Sequence, residues 1–356
     1  MNPYLSNKIK IVSFICMIMV VFIHSFNPAT IELRNNPALK INYSLAIEYF
    51  ISNGIARISV PIFFVISGYL FFLNFAGTKD DYFQKLRKRV KTLIIPYLFW
   101  SAFCLLVNFS LQSIPATRAF FSKGLVKDFG FPKTMYVLLL DPMAYQLWFL
   151  RDLIVIVFLT PIIYFLIKKA EKVFLLALFI LWFLSFNFKF LTSEGVLFFT
   201  FGAILAQSGN YVAYYKTVTR SYTTPVVIWL AILILETLLF CMKLSNSMWG
   251  QSCHKIAIVT GILAFWNFYD KPEIERLINK EKLKKIATLS FFLYASHEPL
   301  LSIFQKILPK VLGKGNIATL ITYFFCPIAT IVICLSIGYF FRKKFTKLYE
   351  ITTGGR

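Results

Sequence analysis

Residues 52–75 read Ser-Asn-Gly-Ile-Ala-Arg-Ile-Ser-Val-Pro-Ile-Phe-Phe-Val-Ile-Ser-Gly-Tyr-Leu-Phe-Phe-Leu-Asn-Phe and carry a single charged side chain, Arg57. A helix needs roughly 20 predominantly apolar residues to cross the hydrocarbon of a bilayer. This stretch meets that length. Further candidates lie near 9–27, 92–113, 146–167, 172–188, 194–208, 225–242, 255–269, 287–306 and 317–341. The fold expected is all-α, a polytopic membrane protein of about ten transmembrane helices. The fifth and sixth stretches are short, with Lys189 and Glu194 between them, and a re-entrant pair there would leave the parity of the others unchanged.

Composition agrees. The 356 residues are 58% hydrophobic and only 15% charged, whereas soluble domains run nearer half and a quarter. That excludes a disordered chain, a disulfide scaffold and an ordinary cytosolic enzyme. Of the six cysteines, Cys16, Cys104, Cys241, Cys253, Cys326 and Cys334, five lie in apolar runs and none forms a C-x-x-C pair. They read as small buried hydrophobes, and no metal is expected. The run after Lys10 is followed by Ser25-Phe26-Asn27-Pro28 rather than a small-residue cleavage site, so it reads as an uncleaved first span. The expected organisation is one integral-membrane domain, 1–345, with a short cytoplasmic tail, 346–356, and no soluble domain at either end.

The net charge of +22 sits mostly in alternate gaps between spans, which points to topology rather than nucleic acid. With the N-terminus inside, 24 basic residues fall on the cytoplasmic side, from Lys8 and Lys10 through Lys85–Lys91, Lys216 and Arg220 to Arg342 and Arg356, against 12 outside. Both termini are therefore expected in the cytoplasm. The stretch Lys85-Leu86-Arg87-Lys88-Arg89-Val90-Lys91 could attract cofactor phosphates, but it reads first as a topology determinant touching anionic lipid. Outer loops are expected near 28–51 and 114–145.

Ionisable side chains inside a span cost about 2.5 kcal/mol or more on insertion scales and so mark candidate sites. His24 ends the first apolar run, where a near-neutral group suits a general base or an interfacial histidine. Arg57 lies four residues before Pro61, whose missing N–H leaves the Arg57 carbonyl without its helical partner. It could anchor a polar or anionic group, or snorkel. Trp148 shares a helical face with Arg151 and Asp152. Arg151 could hold a carboxylate, phosphate or oxyanion, and Asp152 could orient a histidine. Ser296-His297-Glu298-Pro299 interrupts the ninth span near mid-depth, and Pro299 frees the Ala295 carbonyl. A polar cavity opening outward, or a pore joining both faces, would account for all four places.

Taken together, these segments resemble the acyltransferase-3 family of bacterial integral-membrane acyltransferases. The segments are Phe22-Ile23-His24-Ser25, Val60-Pro61-Ile62-Phe63-Phe64-Val65-Ile66-Ser67-Gly68-Tyr69-Leu70, Leu147-Trp148-Phe149-Leu150-Arg151-Asp152-Leu153 and Phe291-Phe292-Leu293-Tyr294-Ala295-Ser296-His297-Glu298-Pro299. They keep the family's order over about residues 8 to 340. The resemblance implies a multi-pass protein of the bacterial plasma membrane that transfers an acyl group, usually acetyl from acetyl-CoA, to a hydroxyl of a cell-surface or lipid-linked glycan. By position it implies that His24 is catalytic. Many members carry a basic residue eleven positions before that histidine; here the position is Ser13, with Lys10 the nearest cation and only weakly indicated for the donor.

The mechanism expected is general-base transfer. His24 takes the acceptor proton, and Arg57 and Arg151 stabilise the oxyanion or position the acceptor. His297 and Glu298 line the pore, while Ser67, beside Gly68, serves close packing or donor passage rather than nucleophilic attack. The rival readings are a transporter or flippase for a lipid-linked glycan, with the same residues gating a pathway, and a non-catalytic subunit or sensor.

Overall fold

In the computed structural model, the apolar runs are helices whose ends follow from local chemistry. The structure describes residues 1–26, 43–118, 124–208, 221–278, 280–313 and 315–355. Lys216, Arg220 and Arg356 lie outside the described residues, as do 28–42 of the first expected outer loop and 119–123 of the second. The long helices are labelled α1 (Pro3–Ser25), α2 (Tyr43–Phe72), α3 (Lys79–Ser113), α4 (Tyr145–Phe183), α5 (Ser193–Gln207), α6 (Thr224–Cys241), α7 (Met248–Tyr269), α8 (Ser290–Leu312) and α9 (Asn316–Lys344). Six of them, α1 to α4, α6 and α9, are long and apolar enough to cross a membrane. The protein is an all-α, multi-pass membrane protein. Among the described residues the sole sheet is a two-residue antiparallel ribbon, Asn187–Phe188 with Leu191–Thr192.

Caps set the helix starts. Asn2 accepts the Tyr4 N–H at 2.9 Å ahead of Pro3, Thr192 accepts the Gly195 N–H at 3.1 Å, and Ser247 accepts the Gly250 N–H at 3.1 Å. The fourth and fifth expected spans are continuous in α4, which breaks at Ala170 (φ −153°, ψ 49°) beside Lys168, Lys169 and Lys172. The ribbon then turns the chain into α5. At 15 residues, α5 covers about 22 Å, short of the roughly 30 Å hydrocarbon thickness.

α2 is the central element because both of its faces are apolar. Ile58, Ile62 and Ile66, spaced by four, pack into a core with α1, α6 and α7. Val60, Phe64, Phe71 and Phe72 pack into a second core with α4, α5 and α8. Against α5 the two backbones touch: a Cβ on Gly68 would stand 2.0 Å from the Phe199 carbonyl oxygen, and one on Gly202 would stand 2.1 Å from that of Val65. This reciprocal pair of glycines is the small-residue crossing that lets membrane helices approach closely. Outward-facing Ile162, Phe165, Ile234, Leu238, Ile328 and Val332 stay exposed, as a lipid-facing surface requires.

The basic ends meet at one pole. Lys8 pairs with Asp270 at 2.7 Å, linking the start of α1 to the end of α7, and lies 4.4 Å over Trp266. Arg342 near the end of α9 donates to the Thr288 hydroxyl just before α8 at 2.5 Å. The residues expected as a tail after 345 include a helix, Thr346–Thr353, that docks on the bundle. Its Tyr349 stacks on Phe292 at 5.8 Å, and the Thr352 carbonyl accepts from Trp100 at 2.9 Å.

Candidate active site

Proline chemistry builds the centre of the site. Because Pro299 cannot donate and disfavours a helical residue before it, α8 breaks at Glu298 (φ −97°, ψ 138°). The carbonyl expected to be freed, that of Ala295, accepts from Gln146 Nε2 at 3.4 Å. The break delivers His297, fully buried, to the last turn of α1. That turn is pinned from three sides: Ser25 Oγ donates to the Tyr323 carbonyl at 3.0 Å, Ser52 Oγ to that of Phe22 at 2.7 Å, and Gln305 Nε2 to that of His24 at 2.9 Å. These side chains satisfy carbonyls that a helix C-terminus leaves unpaired.

His24 Nδ1 and His297 Nε2 are 2.9 Å apart, with the rings stacked at 5.2 Å. The hydrogen-bond chain assigns the neutral tautomers. His297 Nδ1 faces the carbonyls of Tyr294 at 2.8 Å and Leu293 at 3.2 Å. A carbonyl can only accept, so His297 Nδ1 carries the proton and its Nε2 has the lone pair. The bond to His24 must then be donated by His24 Nδ1, which leaves the lone pair on His24 Nε2. The Tyr145 ring lies 4.7 Å from that of His24, and its hydroxyl donates to Glu298 Oε1 at 3.3 Å.

His24, His297 and Glu298 are the one trio of metal-capable groups within 4.8 Å among the described residues. The two histidines bond each other through one nitrogen apiece, and Glu298 accepts from Tyr145.

Two cavities adjoin this centre. The first, about 580 Å³, is bordered by Lys10, Ser13 and Arg89 towards the basic pole and by Ser67, Trp148, Arg57 and His24. Along α1 it runs from Lys10 to His24, about 21 Å at 1.5 Å per residue. Most of its remaining wall is apolar, including Val60, Phe63, Ile66 and Phe291. The second, about 400 Å³, lies beyond Tyr145 and is bordered by Glu298, Ser302, Lys306, Asn108 and Gln112.

The structure therefore gathers His24, Arg57, Trp148, Ser67 and Lys10 around one space. His297 touches it through His24, and Glu298 faces the second cavity. Arg89, from the stretch read as a topology determinant, also borders the first cavity and lies 5.7 Å from the Phe71 ring.

Arg151 and Asp152 border neither cavity. Arg151 donates to Asp152 Oδ1 at 3.0 Å and to the Leu140 carbonyl at 2.8 Å, while Asp152 Oδ2 accepts the Thr192 N–H at 3.0 Å. Asp152 thus holds the ribbon before α5 and not a histidine, which corrects the orienting role considered for it. The pair is a brace because the loop carbonyl and the ribbon N–H reach it first.

Glu194, read only as a marker between short spans, is the counter-ion of Arg57. Its oxygens lie 3.1 and 3.3 Å from Arg57 Nη2, and it also accepts from Trp182 Nε1 at 3.3 Å. A π-helical turn, Phe50–Ile55, and a 3-10 turn, Ala56–Ile58, aim Arg57 there ahead of Pro61. Glu194→Ala is expected to lower stability by about 1–3 kcal/mol by leaving a partly buried guanidinium without its acceptor. Glu194→Gln, which keeps one acceptor oxygen and nearly the same volume, should cost less. Thermal unfolding in detergent measures both, and equal losses would show that the charge, not the hydrogen bonding, carries the effect. A second polar knot was not singled out in the sequence: Glu236, a lone carboxylate within an apolar run, meets His254 at 2.8 Å and Tyr49 at 3.1 Å.

Comparison with known proteins places this geometry. No solved structure matches the chain. The succinoglycan biosynthesis protein ExoH of Rhizobium meliloti (strain 1021) is 26% identical over 375 residues, covering 100% of this chain and 94% of the relative. The model of the acyltransferase domain matches residues 8–339, a span containing most of α1, all of α2 to α8, both cavities and the His24–His297 pair, and on that match the chain belongs to the acyltransferase-3 family.

Proposed function

We propose that the protein moves an acyl group, acetyl in the first instance, from a cytosolic acyl-CoA to a hydroxyl of a cell-surface or lipid-linked glycan. In this reading about ten helical segments, the short α5 among them, lie in the bacterial plasma membrane with both termini in the cytoplasm, an orientation that the two-to-one bias of basic residues supports. The basic pole with Lys10 and Arg89 then faces the acyl-CoA phosphates, and the apolar first cavity takes the pantetheine arm up to His24. A relative named for succinoglycan biosynthesis supports a polysaccharide acceptor.

The observation that carries the proposal is the 2.9 Å bond from His24 to a histidine whose own proton is held by backbone carbonyls. It leaves His24 Nε2 as a base beside the cavity. His24 removes the acceptor O–H proton as the oxygen attacks the thioester carbonyl carbon. The C–O bond forms, the C–S bond breaks, and the proton passes from His24 to the departing sulfur to give free CoA. Arg57, held by Glu194, supplies donors for the oxyanion or the acceptor. Arg151 and Asp152 act at a distance, by fixing the first turn of α4 and with it Trp148. Ser67 and Gly68 serve passage and packing.

The test is the alkali-labile acyl content of surface glycans, by mass spectrometry, in a deletion strain complemented with wild type or with an equally expressed His24→Ala. An ester that appears with wild type and disappears with the variant is the expected result. Identical glycans in all strains would overturn the O-acyl glycan reading in favour of transport or another acceptor.

A further inference from the structure

In the reading above the thioester lies in the first cavity, and the second reaches the proposed centre from the opposite side. α3 begins at the basic pole, so its last turns, with Asn108 and Gln112, lie at the far one. The half of α8 beyond Glu298 supplies the facing wall. Tyr145 bridges this space and His24: its ring packs 4.7 Å from the imidazole and its hydroxyl binds Glu298, which borders the cavity. At about 400 Å³ the volume falls in the range of small-molecule sites, roughly 300–1,000 Å³.

The chemistry of the walls identifies the class of occupant. Glu298 offers a carboxylate and is only 5% exposed. Facing it, Asn108 donates Nδ2 to the Cys104 carbonyl at 2.9 Å, and its Oδ1 has no hydrogen-bond partner among the described residues. Ser302 and Lys306 add a hydroxyl and an ammonium. Donors and acceptors thus both stand in a wall otherwise largely formed by Leu111, Met143, Ile303 and Ile307, and its two ionisable groups are of opposite type. A neutral polyol matches such a lining, because each hydroxyl both donates and accepts. An anionic ligand would meet Glu298, and an apolar one would strand buried polar groups.

We propose that this cavity is the acceptor subsite and seats one neutral sugar unit of the glycan, with its hydroxyls on Glu298, Asn108 and Ser302 and the reacting hydroxyl directed past Tyr145 to His24. The proposal rests on the acyltransferase reading given above. It divides the substrates between the two cavities: thioester from the basic pole, sugar from the far one.

Filling the space tests it. Asn108→Leu and Ser302→Leu, singly and together, would be expressed in the deletion strain and checked for a monodisperse profile in detergent. The expected result is a tenfold or greater fall in glycan ester, with coenzyme A binding to the purified protein in nanodiscs within twofold of wild type. Wild-type ester content in the filled variants would overturn the subsite while leaving the His24 dependence intact. Loss of coenzyme A binding along with the ester would overturn it too, by assigning the cavity to the donor side or to folding. Should the leucine variants fail to fold, Asn108→Ser with Ser302→Ala decides: a threefold or greater loss of ester supports the subsite, and none overturns it. Absence of any glycan ester with wild type would instead remove the underlying acyltransferase reading.

Discussion

A His24→Ala protein is expected to insert and fold like wild type yet to transfer acyl groups about 10²–10⁴-fold more slowly, the range that a positioned general base contributes. Folding should survive because the last turn of α1 is held by other groups: Ser25 on Tyr323, Ser52 on the Phe22 carbonyl and Gln305 on the His24 carbonyl, which an alanine keeps. His297→Ala should lower kcat through the same bond, since without the acceptor at 2.9 Å nothing holds the His24 proton on Nδ1. KM for acyl-CoA should stay nearly constant, because His297 does not border the first cavity. The double variant should be no slower than His24→Ala alone, as expected of groups that act as one unit. Acyl transfer by purified protein in nanodiscs measures all three. Additive losses, or His24→Ala within threefold of wild type, would dismantle the base-and-orienter pair.

The second large effect falls on the fold. Gly68→Ala places a methyl carbon 2.0 Å from the Phe199 carbonyl oxygen, and Gly202→Ala places one 2.1 Å from that of Val65. Neither obstacle is a flexible side chain. α2 and α5 would have to separate along their whole crossing, at a cost well above the roughly 1–3 kcal/mol of an ordinary overpacked core. Both variants should yield little monodisperse protein by fluorescence-detected size exclusion. Gly315→Ala, whose added carbon meets nothing within 4 Å, should match wild type. Normal yield of the Gly68 variant would mean that the helices cross less closely than described.

What could be read from the sequence was whatever one segment decides alone. Apolar length marked the helices, and Pro299 announced the freed Ala295 carbonyl, which the structure finds on Gln146. Charges out of place in apolar runs pointed to His24, Arg57 and the His297-Glu298 pair. Partners were another matter. His24 and His297 are 273 residues apart, and Arg57 and Glu194 are 137 apart. No local pattern encodes which helix lies against which. Tyr145 was passed over as part of an outer loop, although it packs on His24. Arg151 and Asp152 drew attention by their charge, yet a loop carbonyl and a ribbon amide occupy them. Glu236 carried the same signal as the others, an ionisable group alone in a span, and was passed over; its partner His254 lies on the next helix.

The break in α8 has a consequence for how this enzyme can change. Residues before it, such as Phe291 and Tyr294, border the first cavity, whereas Ser302, Ile303 and Lys306 beyond it border the second. One helix is thereby divided at a proline into two independently variable registers. On the proposed assignment of the two cavities, exchanges in the leading half would retune the acyl chain tolerated and exchanges in the trailing half the sugar, without disturbing the histidine between them, so that a lineage could acquire a new decoration or a new polymer one at a time.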